Sequence, residues 1–146
     1  DFLERTGYRL PTEGEWEYAS RAGAMSSRHY GRSEGRLTSY AWFLTNSGRT
    51  MHPVGRLKPN DLGLFDILGN AFEWCDDPYQ ADPVKGRDQP VVDAVMDASF
   101  SDQFLRVLRG GSFAVSPTST RAAYRGRYQP ALRVAYIGFR PARTYP

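Results

Sequence analysis

Arg106-Val-Leu-Arg-Gly-Gly-Ser-Phe113, answered by Ile137-Gly-Phe-Arg140 near the end of the chain, is the stretch that decides how this sequence folds. A pair of glycines ahead of a serine permits positive φ or close backbone approach, which other residues resist. A closing Gly-Phe-Arg can set an aromatic ring and a charged anchor at the far end. Between these two ends lie small, aliphatic and aromatic residues interrupted by single arginines.

Outward from this stretch, the 146 residues fit one domain with a single core. Hydrophobic residues make up 40% and charged ones 24%, as in ordinary globular proteins. The 14% aromatic content, with 14 Gly and 10 Pro, favours a loop-rich fold held by aromatic packing over a helix bundle. No apolar run approaches the roughly 20 residues of a membrane span. No signal peptide stands at the start, although that start need not be the native one. Cys75 alone excludes an internal disulfide framework and a Cys-rich zinc site. It fits a reducing compartment, which favours the cytoplasm.

The charge is uneven. Residues 103–146 hold eight Arg and no Asp or Glu, so that segment is +8 against a whole-chain charge of +3, and the rest carries −5. Lys is absent from the basic segment and its arginines stand singly among apolar residues. This predicts arginines that pair with the acidic N-terminal portion, stack on aromatics or line a pocket. It argues against a nucleic-acid surface.

Thr12-Glu-Gly-Glu15 is a capping box, which predicts a helix to about Arg21 with Gly23 near its stop. Trp16 shares a face with Ala19 and Ala22 (or Ser20) and reads as a core anchor. Asp1 to Tyr8 reads as the end of another helix, broken at Gly7. Tyr40-Ala-Trp-Phe-Leu44 is an apolar island in a polar stretch, Met51 to Arg56 is a candidate strand, and Pro59-Asn-Asp61 is a turn signal. Gly69 to Cys75 sets Ala71, Glu73 and Cys75 against Phe72 and Trp74, the period of a strand. Residues 76–102 read as an irregular, acidic surface insertion. Phe104 to Leu108 and Ala135 to Arg140 are the remaining strand candidates.

Five motifs occur in order: Arg9-Leu-Pro-Thr-Glu-Gly-Glu-Trp-Glu-Tyr-Ala19, Pro59-Asn-Asp-Leu-Gly-Leu-Phe-Asp66, Leu68-Gly-Asn-Ala-Phe-Glu-Trp74, Arg109-Gly-Gly-Ser-Phe113 and Ile137-Gly-Phe-Arg140. Together they resemble the formylglycine-generating-enzyme (sulfatase-modifying-factor) family. The resemblance implies an α+β, C-type-lectin-like fold with a small twisted antiparallel sheet, helices and long loops. It also implies that residues 1–146 form a single such domain, lacking its N-terminal strand and most of its first helix.

The catalytic members of that family hold copper with two cysteines shortly after Gly-Gly-Ser, as suits soft Cu(I). The matching positions here are Val115 and Thr120, so no copper is expected. A second branch uses a histidine-bound non-haem iron. Only His29 and His52 are present, without partner spacing, and both read as surface residues. Ser112 lacks a nearby base and a nucleophile-elbow setting, and reads as a turn residue. The resemblance further implies calcium, held by the carboxylates of Asp66 and Glu73 and the carbonyls of Gly69 and Ala71. The alternative is that Glu73 pairs with an arginine and Asp66 caps a turn. A second family calcium site, near Tyr40-Ala-Trp42, is lost, because Trp42 replaces an expected Asn.

With catalysis removed, the segment 114–136 carries the question of function. Pro117, Arg121, Tyr124, Arg125, Arg127, Pro130 and Arg133 read as framework. The candidate ligand-binding residues are Ala114, Val115, Ser116, Ser119, Thr120, Gly126, Tyr128, Ala131, Leu132, Val134, Ala135 and Tyr136. They show no helical or strand periodicity, and loops on a rigid scaffold are where binding residues gather. The arrangement resembles the variable proteins of diversity-generating retroelements, which set a mutable cassette between Gly-Gly-Ser and Gly-Phe-Arg. Each of the twelve is a residue type that adenine-directed mutagenesis of Asn-type codons can reach. The expectation is a non-catalytic domain that binds a protein or peptide, with Val115, Tyr128, Leu132 and Tyr136 in contact. The alternatives are an oxidoreductase of the same family or a non-diversified accessory domain.

Overall fold

The Thr12 hydroxyl accepts the Glu15 N–H at 3.2 Å, while Glu15 Oε2 accepts the Thr12 N–H at 2.8 Å. The capping box therefore forms as expected, and the helix it starts, α1, covers Glu13–Arg21. The helix stops where Ala22 and Gly23 turn left-handed, at φ 47° and 84°. Trp16 and Ser20 are buried on its inner face. The computed structural model describes residues 6–81 and 104–144. Thr6 is helical and Gly7 has φ 67°, so the helix break at Gly7 stands where the sequence places it.

Four strands form the central sheet, in the order β4–β3–β2–β5. β2 (Phe72–Pro78) and β3 (Arg106–Arg109) run antiparallel, with Glu73 opposite Arg109 and Trp74 opposite Leu108. β4 (Gly126–Tyr128) extends the sheet beyond β3, with Gly126 opposite Leu108. β5 (Ile137–Gly138) lies parallel to β2, so the sheet is antiparallel except at that edge. A separate antiparallel pair joins β1 (Tyr8–Arg9) to β6 (Ala142–Arg143). Long loops and two 3-10 turns, Glu34–Ser39 and Pro117–Ser119, make up much of the rest. This is the α+β architecture that the motifs imply.

Several local expectations change. Met51 to Arg56 is a turn, not a strand: Gly55 has φ 75°, and its N–H donates to Asp66 Oδ2 at 2.7 Å instead of to a neighbouring strand. β2 begins at Phe72 because Gly69 and Asn70 are both left-handed. It continues to Pro78, into the stretch read as an insertion, whose residues 82–103 lie outside the described ones. β3 starts at Arg106, and only Ile137–Gly138 of the last candidate is strand. β4 falls where no period was visible, since three residues cannot display one.

The core packs Trp16, Leu37, Ala41, Phe43, Ile67, Leu68, Cys75 and Val107 together. Burying a side chain of this size stabilises by about 1.5–3 kcal/mol. The segments that supply it meet at Gly69-Asn70. The Gly69 N–H donates to the Gly110 carbonyl and the Asn70 N–H to the Trp42 carbonyl, both at 2.8 Å. The Phe113 N–H donates to the Asn70 carbonyl at 2.9 Å, and the Asn70 amide pairs with both backbone groups of His52 at 3.0 Å. Asn60 works similarly on a smaller scale: its side chain accepts from Leu62 and Leu64 and donates to the Ala19 carbonyl.

The histidines are not surface residues. His52 is half-buried, stacked on Trp42, with its ring nitrogen 2.8 Å from the Ser47 carbonyl. His29 is buried against the ring edges of Tyr30 and Tyr40, with no hydrogen-bond partner on either nitrogen. Burial lowers its pKa from the ordinary 6.5, against a smaller opposing pull from Asp61.

Two outcomes follow. A Cβ on Gly69 would sit 2.3 Å from the Trp42 carbonyl oxygen at φ 76°, so Gly69→Ala should abolish the cooperative thermal transition seen for the wild type. The unfolded chain binds a proton at His29 more readily than the folded one does. Stability should therefore fall as pH drops through 6.5 towards the lower folded value, and His29→Phe should flatten that slope in thermal melts.

Candidate binding face

The Gly110-Gly111 pair lets two layers of the molecule touch. At φ 92°, a Cβ on Gly110 would meet the Ile67 carbonyl oxygen and Trp16 at 3.2 Å. At φ 80°, one on Gly111 would meet the Ser119 carbonyl oxygen at 2.9 Å. Ser112 is fully buried and its hydroxyl accepts the Ala114 N–H at 3.3 Å, a turn role as the sequence suggests.

One buried and two half-buried arginines hold this frame to the acidic N-terminal half. Arg109 is wholly buried, pairs with Glu17, lies 3.6 Å from Glu13, and donates to the Tyr124 carbonyl at 2.9 Å. Its guanidinium sits 5.2 Å from the centroid of the Trp16 ring. Arg125 holds Glu13 through two contacts of 2.6 and 2.8 Å. Arg140, from the closing Gly-Phe-Arg, holds Glu73 through contacts of 2.8 and 3.1 Å, and the Trp16 indole N–H donates to the same carboxylate at 2.7 Å. Burial pushes the Glu73 pKa up, opposed by Arg140 and Trp16. Three of the eight arginines thus pair with Glu13, Glu17 and Glu73, as the charge asymmetry predicts.

Of the twelve candidate residues, only Thr120 is buried. Its hydroxyl donates to the Ser116 carbonyl at 3.2 Å and its side chain packs under Gly111, so it supports the loop and cannot touch a ligand. Ala114, Ser116, Tyr128, Ala131 and Ala135 are exposed, and Val115, Ser119, Gly126, Leu132, Val134 and Tyr136 are half-buried. They do not form one patch. Ala114, Val115, Gly126, Tyr128 and Tyr136 line a cleft of about 580 Å³. Leu132, Val134 and Ala135 line a shallower groove against Trp74, and Ala131 lies in a third hollow beside Cys75 and Arg133. Ser116 and Ser119 flank and end the second 3-10 turn.

In the main cleft, the Tyr128 and Tyr136 hydroxyls are 3.2 Å apart, and this hydrogen bond raises the pKa of Tyr136. Phe72, Leu108, Tyr79, Tyr124, Arg125 and Arg127 complete the lining. Sequence reasoning assigned none of these six to the site. Arg125-Gly-Arg127 offered a signal, two cations flanking a small residue, whereas nothing near Tyr79 marks it. Cys75 is buried and its thiol is pushed well above the usual range by burial, which leaves it inert. No group of three or more metal-ligating side chains occurs among the described residues.

With this geometry, the model of the sulfatase-modifying factor enzyme 1-like domain matches residues 2–145. The chain belongs to that family. The formylglycine-generating enzyme of Streptomyces coelicolor is 34% identical over 155 residues, covering 93% of this chain and 46% of that protein. The serine/threonine-protein kinase pkn1 of Chlamydia pneumoniae is 35% identical over 143 residues, covering 98% of this chain and 22% of that protein. Among solved structures, Treponema denticola variable protein 1 superposes with a TM-score of 0.77 at 37% identity, over 93% of this chain and 47% of its own. PvdO from Pseudomonas aeruginosa does so with a TM-score of 0.80 at 26% identity, over 99% and 56%. The chain therefore spans about half or less of the length of these relatives. No helix among the described residues is long and apolar enough to cross a membrane.

In this sulfatase-modifying-factor domain the two carboxylates expected to hold calcium already take part in protein contacts, Glu73 through both oxygens and Asp66 through one. Both Glu73 oxygens face Arg140 or Trp16, and a cation there would meet the Arg140 guanidinium. Asp66, at φ 53°, accepts the Gly55 N–H, so it organises the turn at 55, and its Oδ1 is buried without a partner. As placed, this donor set does not fit a calcium ion bridging Asp66 and Glu73. Added calcium, followed by a chelator, should leave the thermal midpoint unchanged; a saturable rise would contradict this. Glu73→Ala should cost about 3 kcal/mol in denaturant unfolding, as expected when a buried pair loses one partner.

Proposed function

We propose that this domain binds a ligand through the loops between Gly110-Gly111-Ser112 and Ile137-Gly-Phe-Arg140, and performs no oxidation there. One observation carries the reading. The fixed-looking residues Arg109, Gly110, Gly111 and Ser112 are buried in the frame, whereas every candidate but Thr120 reaches the surface. A surface organised in this way can change its side chains without disturbing the core, which suits diversification. The likeness to Treponema denticola variable protein 1 supports the same reading. The ligand class is a protein or peptide, because Tyr, small residues and nearby arginines supply the rigid and adaptable contacts that such partners use.

Thiolate copper chemistry has no counterpart at Val115 and Thr120. The Val115 carbonyl accepts the Leu44 N–H at 3.0 Å, and Thr120 is packed inside. A second reading, an accessory module within a larger polypeptide, is favoured by the kinase relative, in which the matching stretch is 22% of the protein.

Sequencing the coding locus and its flanks tests diversification. The expected result is a near-identical, adenine-rich template repeat beside a reverse transcriptase gene, with differences falling at the codons of the twelve candidates. A locus without such a repeat would leave a fixed binding or accessory domain. Incubation of the copper-loaded protein with a cysteine-containing peptide should give no formylglycine by mass spectrometry, and its appearance would overturn the non-catalytic reading.

A further inference from the structure

The main cleft owes its floor to a missing side chain. A Cβ built on Gly126 meets Leu108 Cβ at 3.3 Å and Phe72 Cε1 at 3.5 Å, so a longer side chain there would lie across both. With glycine, the edge of Phe72 borders the cleft beside the hydrogen-bonded pair Tyr128 and Tyr136, while Leu108 lies fully buried beneath Gly126. On another wall, the guanidinium groups of Arg125 and Arg127 each lie 4.8 Å from the centroid of the Tyr79 ring.

These two arginines are not equivalent. Arg125 is neutralised by Glu13 through two short contacts. Arg127 is exposed and has no carboxylate partner among the described residues. An apolar wall beside a guanidinium that has no carboxylate partner among the described residues selects a ligand that carries both an apolar group and a negative charge. The planar fork of arginine favours a carboxylate, which it can hold through two hydrogen bonds. β4 also ends the sheet, and an extended chain can pair along such an edge.

We propose that the cleft over Gly126 is a subsite for an acidic peptide. An apolar or aromatic side chain of the peptide rests against the edge of Phe72 and the rings of Tyr128 and Tyr136, and an adjacent Asp or Glu pairs with Arg127. The proposal rests on the ligand-binding reading above and specifies its chemistry. It also divides the labour among the candidates: Gly126 sets the depth of the cleft, Tyr128 and Tyr136 form its rim, and Arg127 supplies the charge preference.

A phage-displayed library of random linear peptides, selected on the immobilised protein, tests it. The expected result is enrichment of peptides with Asp or Glu next to Phe, Leu, Ile or Met. A synthetic copy of an enriched peptide should bind roughly tenfold or more weakly to Arg127→Gln, in line with loss of a charge-assisted hydrogen bond. It should not bind Gly126→Val, whose side chain covers the floor. Circular dichroism should show both variants folded; the melt of Arg127→Gln should match the wild type because Arg127 is exposed, and that of Gly126→Val should be lowered but cooperative, because its Cβ meets Leu108 Cβ at 3.3 Å. Enriched peptides that are basic or purely apolar, or that bind both variants as tightly as the wild type, would overturn the acidic subsite. If their binding were then lost in Tyr136→Ala or Leu132→Ala, the loop surface would stand as a binding face. Failure of the wild type to retain any peptide above control phage would overturn the subsite and remove peptide binding from the broader reading.

Discussion

Gly69 and Asn70 carry the constraint on which the rest depends. Their left-handed backbone lets two consecutive N–H groups reach Gly110 and Trp42, while the Asn70 carbonyl and side-chain amide take up Phe113 and His52. Three segments, at Trp42, at His52 and at Gly110–Phe113, are thus fixed around one turn. Buried backbone groups must find partners, and here the partners come from three separate stretches of the chain. The turn immediately precedes β2, so the strand that bears Glu73 and the loop that opens at Gly110 are positioned by the same two residues.

The arginine pairs complete what the turn begins. Arg109, Arg125 and Arg140 all come from the basic C-terminal segment, and all pair with carboxylates from the acidic remainder. A buried ion pair is weak evidence for stability, because desolvation offsets much of the attraction. Its use here is specificity. Trp16 illustrates this: it packs in the core, donates to Glu73 and lies beside Arg109, so one side chain registers α1 against both ends of the segment 109–140. Such a frame can hold its shape while the surface between its ends varies.

Much of this was legible in the sequence because it lay in local signals. The capping box, the helix stop at Gly23 and the core role of Trp16 depend on residues within two turns of one another. The glycine motifs also read correctly, since close approach leaves few alternatives to glycine. The pairing of the basic and acidic parts could be inferred from charge, but not its partners. That Glu73 meets Arg140 is a contact across 67 residues. The apparent strand at 51–56 failed because Asp66 captures the Gly55 N–H, another distant contact. β4 was too short to show a period. All of the twelve candidate residues but Thr120 reach the surface, but their division into a cleft and separate grooves depends on folding. Tyr79 and Phe72, which help build the cleft, come from β2 or its end, far from the segment being read.

The central claim is that a rigid frame and a permissive surface interleave between residues 109 and 140. A saturation scan of that segment, read by the fraction of each variant displayed in folded form, measures it directly. The account predicts that Ala114, Ser116, Tyr128, Ala131, Leu132, Ala135 and Tyr136 accept most residue types. It predicts that Arg109, Gly110, Gly111, Ser112, Thr120 and Arg140 accept few. Equal tolerance in the two groups, or loss of folding on substitution of the exposed one, would contradict it.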